Sequence, residues 1–127
     1  MIPRWKAMVG MIAGVMLLMG GFAHSLIGWP ELLSQMAIAQ IAFDLSRGMQ
    51  VAWHFGGMAM LVFGAIVLPI FLSAWKGKAV SIQPSLVIGI AYLVFGVWAI
   101  LKVETNPFFL FFLIPGTLLV VAGWPQK

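Results

Sequence analysis

Cysteine is missing from this chain, which excludes disulfide bonds, iron–sulfur ligation and thiol catalysis. Charge is nearly missing as well: Asp, Glu, Lys and Arg make up 8% of its 127 residues, where a soluble domain carries about 25%. Among residues able to do acid–base or metal chemistry there are three acids, two histidines and one tyrosine. No Gly-rich phosphate loop follows a strand, and HExxH, CxxC and GxSxG do not occur. The length leaves no room for a second domain, and neither an internal repeat nor a low-complexity segment divides the chain.

What is present is apolar. Hydrophobic residues make up 63% and the mean hydropathy is +1.10, so lipid rather than water solvates most of the surface. The formal net charge of +4 then reads as basic flanks facing anionic lipid, and nucleic acid is not an expected partner. Four apolar runs are long enough to cross a bilayer or nearly so: Ala7–Gly28, Gln50–Ala74, Pro84–Leu101 and Pro107–Trp124. The expected fold is all-α, an integral membrane four-helix bundle in a single domain spanning residues 1–127. The start of the chain superficially resembles a secretory signal, but its apolar run is near full-span length and is expected to be a retained span.

In the first run, Gly10, Gly14, Gly21 and Gly28 fall near one stripe with Ser25 beside it, a spacing that lets two helices approach closely. Trp29-Pro30 is expected to end that span at an interface. Residues 31–46 mix Leu32, Leu33, Met36, Ile38, Ile41 and Leu45 with Ser34, Gln35, Gln40 and Asp44. They predict an amphipathic helix lying on the membrane or folded over the bundle, with Arg47-Gly48 turning the chain into the second span. Pro69 is expected to kink that span, and the short loop after it predicts that spans two and three are antiparallel neighbours. Pro84 suits a first helical turn, and Asn106-Pro107 a cap followed by one. Arg4, Lys6, Lys76, Lys78 and Lys127 fall on one side, Arg47 and Lys102 on the other, which predicts that both termini are cytoplasmic.

That topology gathers the chemistry at the outer end. His24 and His54 each lie just inside the outer interface, and Glu31, Asp44, Arg47, Glu104 and Asn106 lie in the outer segments. Intramembrane histidines invite a functional explanation. Four readings compete. In the first, each imidazole is structural and pins a loop to a helix. In the second, His24 and His54 ligate a cofactor: haem b, with Gly20 and Gly57 giving room to the porphyrin edge, or a transition metal completed by Glu104, Asp44 or Met58. In the third, a quinone or lipid headgroup binds between Trp29, Trp53 and Phe55. In the fourth, protons or small solutes pass, although no polar stripe continues to the other side. Comparable depth and the flanking glycines predict that the two rings meet and share a partner, with Glu104 joining them.

The Gly-rich first span, interfacial segment and three further spans together resemble the DoxX-like group of small bacterial four-helix membrane proteins. The strings GFAHSLIGWP, AWHFGG and NPFFLFFLIPG are similar to a family of small uncharacterised bacterial membrane proteins. The resemblance covers nearly the whole chain and implies a bundle in the bacterial inner membrane. It also implies an accessory subunit, associating with itself or with other membrane-protein subunits among membrane lipids, rather than an enzyme. No functional residue of either group maps onto this sequence.

Overall fold

A computed structural model describes residues 2–103 and 109–125. Every regular element among them is helical: α1 (Arg4–Ala23), a π turn (His24–Gly28), α2 (Trp29–Ile38), α3 (Phe43–Trp75), α4 (Gln83–Lys102) and α5 (Leu110–Gly123). Three helices are long and apolar enough to cross a membrane, Arg4–Ile38, Phe43–Trp75 and Gln83–Lys102. The apolar α5 has 14 described residues. Expectations placed on Asn106-Pro107 and on the final residue, Lys127, lie outside the described residues.

Two boundaries differ from the sequence reading. Trp29-Pro30 does not end the first helix. The chain passes through the π turn and continues to Ile38. Pro30 has no N–H and its ring crowds the preceding turn. The wider π turn directly before it is the kind of local adjustment that accommodates proline within apolar helices. The segment 31–46 is therefore split between the end of one helix and the start of the next. The reversal falls at Ala39–Ala42 rather than at Arg47-Gly48. Gln40 takes the left-handed conformation (φ 53°). Its N–H reaches Ala37 O, and Ile41 N–H reaches Met36 O at 3.0 Å. That is a Schellman motif with glutamine where glycine is usual. Gly77 (φ 76°) closes α3 with the same pair of bonds.

The buried face of α1 runs Lys6, Ala7, Gly10, Ala13, Gly14, Leu17, Gly21, the 3–4 spacing of one helical stripe. The expected glycine stripe meets α3. A Cβ on Gly21 would lie 2.7 Å from Gly57 O, and one on Gly64 3.0 Å from Gly14 O, so backbones touch where side chains would prevent it. Gly89 and Gly116 do the same for α4 and α5, each facing the other's carbonyl oxygen at 3.1 Å. The main contacts run α3 to α1, α1 to α5 and α5 to α4. Helices α3 and α4, expected as neighbours, touch only lightly, because the glycine-lined faces direct α4 onto α5 instead. Leu17, Val67, Phe71, Tyr92 and Leu119 fill the centre, with Tyr92 edge-on to Phe63. The outward face of α4 is as apolar as its inner face: Val87, Val94, Trp98 and Leu101 are all exposed.

Helix lengths set the shape. The first helix has 35 residues, about 52 Å, and α3 has 33, about 50 Å, whereas α4 has 20, about 30 Å. At the end holding the N-terminus, Lys6 bonds Trp124 O and Arg4 stacks over Trp75, so the helices start level there. Counted along their axes, the first helix and α3 therefore overshoot α4 by about 20 Å at the other end.

Candidate functional site

The level at which α4 and α5 stop supporting the longer pair is the level of the two histidines. His24 opens the π turn and lies 20 residues beyond Arg4, about 30 Å along the helix. There the His24 ring stacks on Trp53 of α3, centroids 4.2 Å apart and planes within 8°. His24 Nε2 lies 3.1 Å from Trp53 O. A carbonyl only accepts, so Nε2 carries the proton and donates. In return Trp53 Nε1 donates to His24 O at 2.7 Å. Two hydrogen bonds and one ring stack thus tie the π turn to α3. A second ring pair crosses the same interface, Trp29 against His54 with centroids 5.6 Å apart and tilted by 52°.

Local sequence explains the fit. Gly28 gives way to the Trp53 indole, Gly56 to the His24 ring and Gly57 to Ser25 Oγ. His24, Ser25 and Trp53 are half-buried and Trp29 is buried. One helix carries a histidine followed five residues later by a tryptophan, and its partner carries Trp53 and His54 side by side. Laid against each other, each histidine meets the other helix's tryptophan. From the sequence these tryptophans read as interface anchors or pocket walls; the crossed His/Trp order on two adjoining helices is the signal for their pairing.

Comparisons with protein-family models, curated proteins and solved structures return no match.

Among the described residues no partner is shared by the two histidines: His24 Nε2 bonds the Trp53 carbonyl and the His54 ring packs against Trp29. Haem ligation by both rings does not fit this arrangement. The Trp53 indole covers one face of His24. The glycines expected to leave porphyrin room instead admit protein: Gly20 faces Met60 Cε, and Gly57 faces Ser25 and Gly21. A small cavity of about 180 Å³ does lie beside His24, lined by Gly20, Ile27, Met60 and Phe112 among others. It is smaller than the ~300–1,000 Å³ of sites that hold drug-sized ligands, which also limits a quinone ring with its substituents.

The polar cluster is not assembled around the histidines either. Asp44 is exposed in the first turn of α3, ten residues before His54 and thus about 15 Å along the axis. There its charge suits the helix N-terminus. Glu31, in the first turn of α2, accepts a hydrogen bond from Gln35 Nε2 at 2.9 Å. Arg47 stacks over Phe43. Glu104 and Asn106 lie outside the described residues. Among the described residues no group of three or more His, Cys, Asp or Glu side chains is placed to hold a metal ion.

Proposed function

We propose that this chain is a small accessory or scaffold protein of a bacterial inner (cytoplasmic) membrane. It is a four-helix bundle with both termini cytoplasmic, in keeping with the resemblance of its sequence to the DoxX-like group, and it holds a helical hairpin outward as a docking surface for another membrane-protein subunit. The observation that carries this reading is the apolar surface of the hairpin. Ile38, Phe43 and Val51 are each more than 70% exposed, on the part of the helix pair that extends past α4. Exposed apolar surface of this kind marks a contact with protein or with lipid, and the co-purification below separates the two. The His24–Trp53 and Trp29–His54 pairs serve as a clasp at the hairpin's base. That is the structural role for the histidines in this reading, carried by the ring contacts and by the His24 Nε2 bond to Trp53 O.

The test is affinity purification from native membranes in mild detergent, comparing the wild-type chain with the triple variant Ile38→Ser, Phe43→Ser, Val51→Ser. The expected result is a membrane protein that co-purifies in fixed ratio with the wild type and is lost from the variant while far-UV circular dichroism is unchanged. Equal recovery with both chains, or no co-purifying protein with either, rejects the reading.

A further inference from the structure

The opposite end of the bundle holds a charge with too few partners. Lys6 is 6% exposed, one of two buried polar or charged residues among the described residues. Its ammonium has three donors. One goes to Trp124 O at 2.7 Å, and the Trp5 ring lies 5.6 Å from Nζ. No carboxylate among the described residues lies at this end: Glu31 and Asp44 flank the far hairpin, and Glu31 is 25 residues, about 37 Å, along the same helix. A buried charge is stable only when paired or fully hydrogen-bonded.

Lys6 borders a cavity of about 320 Å³, with Lys78, Pro3, Ile82 and Trp124 also in its wall. This volume is within the range of ligand sites. Pro3 and Ile82 are the N-cap residues of α1 and α4, and neither makes a side-chain cap bond. Neither first turn contains an acidic residue. Two lysines and the N-cap residues of two helices thus line one cavity, and lysines and helix N-termini alike favour negative charge. A group with several acceptor oxygens satisfies such a set better than a single carboxylate. Trp5, Trp75 and Trp124 cluster at the same end, as they do at a headgroup layer.

We propose that this cavity binds a phosphate group, carried by an anionic phospholipid headgroup or free in solution. The site is remote from the outer hairpin and independent of its docking role.

The experiment measures binding to the purified full chain in nonionic detergent. The probes are phosphatidylglycerol, a diacylglycerol with the same acyl chains, and inorganic phosphate. Phosphatidylglycerol binds and raises the melting temperature, and the diacylglycerol does neither. Lys6→Met weakens phosphatidylglycerol binding by about tenfold, the loss of one charged hydrogen bond. Without lipid it melts no lower than wild type, because an underpaired buried charge has been removed. Lys78→Gln, at an exposed position, leaves the fold untouched and weakens binding several-fold. Displacement of the lipid by inorganic phosphate assigns the site to phosphate as such; binding that phosphate does not displace assigns it to the lipid-borne group. Equal binding of phosphatidylglycerol and diacylglycerol overturns the proposal, as does wild-type affinity in both lysine variants.

Discussion

The clasp between His24 and Trp53 can be taken apart one interaction at a time. Each hydrogen bond joins a side chain to the other residue's backbone carbonyl, while the ring stack joins the two side chains. His24→Ala removes the Nε2 bond and the stack but keeps its own carbonyl. Trp53→Ala removes the Nε1 bond and the stack. Interhelical hydrogen bonds in a membrane contribute about 0.6 kcal/mol, up to about 1.7, and a ring stack about 0.5–1.5 kcal/mol. Each single variant should therefore lose about 2 kcal/mol and the double variant about 3 rather than 4, since the stack can be lost only once. The coupling of about 1 kcal/mol is the stack itself. Trp53→Phe keeps an aromatic ring and loses the N–H, at a cost of about 0.6–1.7 kcal/mol. Reversible unfolding in mixed micelles of rising dodecyl sulfate content, followed by far-UV circular dichroism, gives all four values. Additivity within about 0.3–0.5 kcal/mol would show that the rings are not in contact. A Trp53→Phe variant as stable as wild type would show that the indole N–H is not bonded.

Other outcomes are as specific. Gly57→Ala should destabilise by about 1–3 kcal/mol, because its Cβ would run into Ser25 Oγ and Gly21 O. In the same assay Gly48→Ala, within α3 with nothing inside 4 Å, should stabilise by about 0.5–1 kcal/mol. Compartment-specific reporters fused near residue 127 and at Gln40 should report opposite sides of the membrane; the same side for both would reject the topology. Protein purified from its native membrane should show no Soret band and no stoichiometric metal, and a Soret band that His24→Ala abolishes would overturn the assignment of His24 to the clasp.

Much of the frame was legible in the sequence because apolar length and glycine spacing act locally. The stripe of Gly10, Gly14, Gly21 and Gly28 identified the contact face of α1, and all four meet α3 side chains or backbone. Pro84 sits in the first turn of α4, where its fixed φ is suited. The continuation past Trp29-Pro30 was hidden, since proline ordinarily reads as a helix end and a π turn has no strong sequence signature. The reversal at Gln40 was hidden for a related reason: glycine usually marks a Schellman turn, and Gly48 drew the expected turn to itself, although it lies inside α3. Helix neighbours were misjudged between α3 and α4 because a short loop fixes direction but not contact area. At the histidines, depth was legible and partnership was not. Which ring meets which depends on the rotation of the helices about their axes, and here that rotation sets each histidine against a tryptophan.

The outward hairpin as a docking surface is tested most directly by site-specific photo-crosslinking in native membranes, with a photoreactive residue placed singly at Ile38, Phe43, Val51 and Met36. The first three are exposed, whereas Met36 is 8% exposed. Adducts to one and the same membrane protein at Ile38, Phe43 and Val51, and none at Met36, are the predicted result. Adducts only to lipid at the three exposed positions would contradict the docking role.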